Sequence, residues 1–247
     1  MKTLELGQRL IIAADYHPDQ YGRRGVKGRV LSSAATFGGL GATIKVNSAL
    51  RASGYELIDL LHALNVGVFA DLKLDEIKTV LATDGALLRE VKPDLLTVKC
   101  SAGQDSMMRL KLEVAPETKV LGVGVLTTFK EADVRAQFGS RATIKAVQRR
   151  FFLSAKAAQL DGIICAPAEA RWARRLLGKE MLIYCPNMRF ADEVVPGDDQ
   201  NPQRSMSPGD TVRNGANGGV MGRPITGATD PREAAERAIE EMRLALA

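Results

Sequence analysis

Histidine occurs only twice in this chain, at His17 and His62, and cysteine three times, at Cys100, Cys165 and Cys185. The cysteines are far apart and odd in number, with no Cys-x-x-Cys or Cys/His spacing. That argues against a zinc site and against a disulfide framework. Two histidines nearly exclude a histidine-rich metal centre. Free thiols suit a reducing cytoplasm. No apolar run approaches the ~20 residues of a membrane helix. The opening Met-Lys-Thr-Leu-Glu-Leu-Gly lacks the apolar centre of a signal peptide. The expected setting is therefore cytoplasmic, with no membrane partner. Aromatic residues are 5% of the chain, so the core should be built mainly of Val, Ile, Leu and Ala.

A large excess of charge of one sign is also missing. Lys and Arg number 34 against 29 Asp and Glu, for a net +5. The basic clusters, Arg23-Arg24, Lys27 with Arg29, Arg149-Arg150, and Arg171 with Arg174-Arg175, are scattered like helix faces. A nucleic-acid interface needs a basic stripe with stacking aromatics, so that partner is not expected. A modest positive excess fits a small anionic ligand, such as one carrying a phosphate.

What is present is a rhythm. Over 247 residues, short apolar runs fall at 10–14, 42–46, 66–70, 95–98, 120–126, 162–165, 181–185 and 218–221. Helical patterns lie between most of them, at 49–64, 77–91, 144–160, 168–177 and 231–247. Strand–helix alternation argues for parallel βαβ units. Eight units in about 250 residues predict an α/β fold of the (β/α)8 TIM-barrel type, as a single domain over 1–247. The alternative is an open doubly wound sheet, which should carry an early glycine-rich phosphate fingerprint after a strand. Gly38-Gly-Leu-Gly41 precedes a strand and reads as a helix-ending turn.

In a parallel barrel, chemistry collects where strands end. The third run, Val66-Gly-Val-Phe-Ala70, leads into Asp71-Leu-Lys73-Leu-Asp75-Glu76. Charges at a buried strand end must be solvated, paired or functional, because an unpaired buried charge is costly. Asp15, Lys45, Lys99, Thr127-Thr128, Arg189 and Arg223 stand at the ends of other runs, so polar groups meet at one rim. Gly222-Arg223 after the eighth run suits a phosphate: glycine admits a close oxygen and arginine offers a fork. His62 falls inside a helical pattern and His17 has no convincing partner, so neither is expected to be catalytic. The long polar stretch 186–208 reads as a lid or a surface insertion.

These pieces together resemble the orotidine 5'-phosphate decarboxylase family over nearly the whole chain. They are Ile11-Ile-Ala-Ala-Asp15, Ile44-Lys45-Val46, Phe69-Ala-Asp71-Leu-Lys73, Thr97-Val-Lys-Cys-Ser-Ala-Gly103, Val125-Leu-Thr-Thr128, Asp161-Gly-Ile-Ile-Cys165 with Glu169-Ala170, and Gly222-Arg223-Pro-Ile-Thr226. The resemblance implies a barrel homodimer with shared active sites. The reaction would convert orotidine monophosphate to uridine monophosphate in pyrimidine biosynthesis, with no cofactor and no metal. Carried over by position, Asp15 and Lys45 would bind ribose hydroxyls and anchor a chain of charges. Asp71 would face the substrate carboxylate, and Lys73 would protonate C6. Thr128 would stand near the pyrimidine, and Pro186 would border the substrate. Gln200 or Gln203, with Gly222 and Arg223, would hold the phosphate.

The family pattern Asp-x-Lys-x-x-Asp, with a threonine four residues later, is altered here. Asp75 comes one residue early but keeps Thr79 four residues on; Glu76 keeps the spacing from Asp71. One of the two acids would reach into the partner's site, Asp75 with Thr79 being preferred. Lys99 stands where histidine is common, and Asn187 where the family's Pro-Gly-Ile-Arg has glycine. Two rivals are a metal-dependent sugar-phosphate decarboxylase or hexulose-phosphate synthase of the same barrel group, and a non-catalytic binder of nucleotide monophosphates. Lys45 in the second strand argues against a cation there.

Overall fold

The computed structural model describes residues 5–192 and 204–247. Eight parallel strands close into a barrel in chain order. They are β1 (Leu10–Ala13), β2 (Thr43–Val46), β3 (Gly67–Leu74), β4 (Leu95–Lys99), β5 (Lys119–Val123), β6 (Gly162–Ile164), β7 (Leu182–Cys185) and β8 (Gly218–Met221). The expected TIM-barrel fold is thus observed. All eight predicted runs contain a strand, but two strand ends move. β3 continues four residues past Ala70, taking Asp71 and Lys73 into the sheet. β5 stops at Val123, which leaves Leu126 to Thr128 in a turn.

Helices fill the outer layer: α1 (Pro18–Phe37), α2 (Ser48–Ser53), α3 (Glu56–His62), α4 (Lys78–Val91), α5 (Gln104–Val114), α6 (Glu131–Phe138), α7 (Ile144–Ala157), α8 (Ala170–Leu177), α9 (Pro208–Arg213), α10 (Arg223–Thr226) and α11 (Pro231–Leu246). The single helical pattern expected over 49–64 is two helices. Gly54, at φ +85°, takes a conformation that side-chain-bearing residues rarely hold, and it ends α2. α1 is kinked at Gly22 (φ +64°) and ends at Gly38, as the glycine cluster predicted.

Alternation along the strands sorts two cores. Outward residues such as Leu10, Ile12, Ile44, Val68, Leu96 and Ile183 pack under the helices. Inward residues Ile11, Phe69, Leu95, Leu121, Tyr184 and Val220 plug the barrel. Each fully buried side chain of this size contributes about 1.5–3 kcal/mol. Two residues further along the same face, the plug gives way to Lys45, Asp71 and Thr97, because a strand repeats its facing every second residue. That step places charge above an apolar floor.

Side-chain clips at the opposite end of the barrel set strand positions. Asp94, just before β4, accepts the Val68 N–H at 2.7 Å. Asp161, just before β6, accepts the Val120 N–H at 2.8 Å. Asn217, just before β8, accepts the Ile183 N–H at 2.8 Å. His62 pairs with Asp94 at 3.1 Å, a structural role, and that bond raises its pKa above 6.5. Cys100, Cys165 and Cys185 are free and buried.

Candidate active site

A cavity of about 590 Å3 opens at the C-terminal ends of the strands, a size usual for small-molecule sites. Its floor is the apolar plug: Ala13, Phe69, Val123, Ile164 and Val220. The ends of β1 to β3 carry Asp15, Lys45, Asp71 and Lys73; the ends of β7 and β8 carry Pro186, Asn187, Arg189, Gly222 and Arg223, β8 closing the ring beside β1. The β5 turn adds Leu126 and Thr127.

The charged wall is an alternating chain. Lys45 Nζ donates to Asp15 Oδ2 at 2.6 Å and lies 3.6 Å from Asp71 Oδ2. Lys73 Nζ donates to the same Asp71 oxygen at 2.5 Å. The Lys45 and Asp71 side chains are about nine-tenths buried. An isolated charge there would be prohibitive, whereas each of these meets an opposite one within hydrogen-bond range or close to it. The four formal charges sum to zero. Lys45 occupies the space between Asp15 and Asp71, where two carboxylates would otherwise gather a cation.

Local backbone aims these groups. Between Ala70 and Leu74, β3 uses four residues where β4 uses two, from Leu96 to Val98. This is a bulge, a device that re-aims a side chain beside active sites. Within it Lys73 adopts φ +49°. Its N–H donates to Thr97 Oγ1 at 2.9 Å, and Thr97 Oγ1 donates to Asp71 Oδ1 at 2.9 Å. Asn187 has φ +70° and is buried. Asparagine is among the residues that best tolerate that region.

The sequence-predicted residues divide as follows. Asp15, Lys45, Asp71, Lys73, Pro186, Gly222 and Arg223 all line the cavity. Thr128 is exposed and not among the lining residues, whereas its neighbour Thr127 is. The early end of β5 shifts which turn residue faces inward. Asp75, Glu76 and Thr79 are exposed and off this chain's own cavity. Asp75 accepts the Ser101 hydroxyl at 2.8 Å. Gln200 and Gln203, with 193–203 of the proposed lid, lie outside the described residues. The ends of that loop run side by side, joined at Met188 and Met206. Lys99, half-buried, has its pKa lowered by burial against the opposing pull of the Asp75 carboxylate.

Three features were only partly legible in the sequence or not at all. Arg189, expected at the rim without a role, brings a second guanidinium to the cavity lining. Thr97 reads as an ordinary strand residue. The third is a buried polar network. Arg204 Nη2 donates to Glu169 Oε1 at 2.6 Å, and Arg204 Nη1 donates to the carbonyl of Thr127 at 2.9 Å. Gln148 Nε2 donates to Glu169 Oε2 at 3.1 Å, while Gln148 Oε1 accepts the Val125 N–H at 2.9 Å. The β5 turn is therefore pinned from behind. Among the described residues, no group of three or more His, Cys, Asp or Glu side chains is placed to hold a metal, and no helix is long and apolar enough to cross a membrane.

The family profile described as orotidine 5'-phosphate decarboxylase / HUMPS family matches residues 8–238. An orotidine 5'-phosphate decarboxylase of Rhodopseudomonas palustris is 31% identical, the match covering 97% of this chain and 96% of the relative. One from Nitrosomonas eutropha is 30% identical, covering 96% and 98%. In fold, the crystal structure of the Lactobacillus acidophilus orotidine 5'-phosphate decarboxylase superposes with a TM-score of 0.77 at 23% identity, covering 94% of this chain and 98% of that one. That of Pyrococcus horikoshii gives 0.71 at 24% identity, covering 95% and 99%.

Proposed function

The chain belongs to the orotidine 5'-phosphate decarboxylase / HUMPS family, and from that premise we propose that it removes CO2 from orotidine 5'-monophosphate, with Lys73 as the proton donor and without a metal or cofactor. The observation that carries the reading is the Asp15–Lys45–Asp71–Lys73 chain lining a cavity that Arg223 and Arg189 also line.

The chemistry follows from where the charges sit. A substrate carboxylate placed beside Asp71 meets a like charge. When the C6–carboxylate bond breaks, CO2 departs neutral and the electron pair stays on C6. The Lys73 ammonium then faces a carbanion, to which it is attracted more strongly than to the intact substrate. An interaction that grows toward the transition state raises kcat. Transfer of one Lys73 proton to C6 gives uridine monophosphate, and solvent returns the proton to the amine. Arg223 and the open backbone at Gly222 suit the 5'-phosphate. Among the described residues, a Cβ at Gly222 would meet only Ala13 Cβ, at 3.6 Å, an ordinary contact that leaves room for a ligand there. Phosphate binding far from the breaking bond supplies energy for orientation and desolvation.

In this reading the enzyme is a cytoplasmic homodimer of single-domain subunits, and Asp75 or Glu76 enters the partner's cavity. The metal-dependent rival needs a cation among the carboxylates, and Lys45 stands in that position. The test is the ultraviolet change of orotidine monophosphate on incubation with the purified chain and excess chelator. Full turnover in chelator is the expected result. Activity restored only by a divalent ion would favour the rival, and tight uridine monophosphate binding without turnover would favour a binder.

A further inference from the structure

We propose that Thr97 is the positioning residue of this site, whose one hydroxyl fixes both the carboxylate of Asp71 and the backbone that carries Lys73. The inference rests on the decarboxylase reading and deepens it.

Thr97 is fully buried, facing into the barrel one step above Leu95. Its surroundings explain why a hydroxyl is needed. The bulge in β3 takes the Lys73 N–H off the regular ladder, and a buried N–H without a partner is costly. Thr97 Oγ1 is that partner, at 2.9 Å. A backbone N–H can only donate, so it takes a lone pair of the hydroxyl. The single hydroxyl proton is left for Asp71 Oδ1, 2.9 Å away, which as a carboxylate oxygen only accepts. The polarity of both bonds is thereby fixed.

Two consequences follow for the reacting groups. With Oδ1 held by Thr97, Asp71 turns Oδ2 toward the ammonium groups of Lys73 and Lys45. With its N–H held, Lys73 keeps φ +49°, a conformation a lysine rarely adopts unaided. The ammonium and the carboxylate are thus located by one atom of a β-branched side chain that is itself stiff at χ1. Misplacement of about 1 Å near reacting atoms can cost on the order of a hundredfold in rate. If Thr97 were only packing, valine, which has nearly its shape, would serve equally.

The test compares Thr97→Val and Thr97→Ser with the wild-type chain. Three quantities are measured: kcat on orotidine monophosphate, affinity for uridine monophosphate, and melting temperature. Thr97→Val is expected to lower kcat by about tenfold or more, with uridine monophosphate affinity within about twofold, because the phosphate wall is untouched. Thr97→Ser, which keeps the hydroxyl, should recover most of the loss. If the valine variant fails to fold, Thr97→Ala enters the same assays. Wild-type kcat in the hydroxyl-free variant would overturn the proposal. So would an equal loss of kcat and affinity, or a serine variant as poor as the valine one. A wild-type chain that binds uridine monophosphate but turns nothing over would instead overturn the decarboxylase reading and take this role with it.

Discussion

Lys73 and Arg223 line one cavity, and in the proposed reaction they would act on different parts of a bound nucleotide. Lys73 would meet charge that appears only as a bond breaks, whereas Arg223 would meet a phosphate already charged in the ground state. Arg223→Ala should therefore raise KM by tenfold or more, on the order of one charge-assisted hydrogen bond, while kcat falls much less. Steady-state kinetics on orotidine monophosphate read the split directly. A kcat loss as large as the KM rise would mean that phosphate binding also drives the chemical step. At this scale the sequence was legible where a residue type is rare in or beside a core: Lys45 declared itself as a charge within a buried strand, and Asp71 and Lys73 as charges where one was expected to end. Thr97 did not, because a threonine in a strand is ordinary, and its role exists only through the bulge that brings the Lys73 N–H to it. Asn187 shows the reverse: it replaces a family glycine, yet at φ +70° it fills the same conformational need.

Among elements, the β5 turn depends on the buried Glu169–Arg204 pair. Both residues are under a tenth exposed, so removing one partner leaves an uncompensated charge. Arg204→Leu or Glu169→Leu should each destabilise the fold by about 3–5 kcal/mol, and the double replacement should cost less than the sum of the two. Denaturant titration of the three variants checks this; strictly additive losses would show that the pair does not act as a unit. Element positions were readable from apolar rhythm, element ends less so. β3 runs into charged residues that ordinarily mark a loop, because Asp71 and Lys73 pair with each other and Lys45 on the neighbouring β2 joins them. The helix after β1 carries Gly22, Gly25 and Gly28 among basic residues, so its apolar period is weak although it forms. Asp94, Asp161 and Asn217 stand just before strands, and only the pairing shows that each reaches back to the preceding strand.

For the whole molecule, the barrel supplies the cavity, and the proposed dimer completes it. Asp75, Glu76 and Thr79 stand at the end of β3 and the start of α4, exposed beside Ile77, itself 66% exposed. If Asp75 serves the partner's cavity, a Lys73→Ala chain mixed with an Asp75→Asn chain should regain activity. Hybrid dimers of a two-fold assembly would hold one intact site, giving about a quarter of wild-type turnover at equal mixing. No gain on mixing, with each variant inactive alone, would place the acid in its own chain's site. Repeating the mixture with Glu76→Gln decides between the two acids. The closed barrel was legible from eight runs in 247 residues; which chain uses which acid was not, because an exposed carboxylate looks the same in sequence whether it meets water or a neighbour.

The central claim is that the Lys73 ammonium stabilises and protonates C6. Its most direct measurement is kcat for Lys73→Ala on orotidine monophosphate, alongside the variant's affinity for uridine monophosphate and its melting temperature. A fall in kcat of more than about a thousandfold, with folding retained and the product still bound, is the predicted outcome. A folded Lys73→Ala chain that turns over substrate within about tenfold of wild type would contradict it.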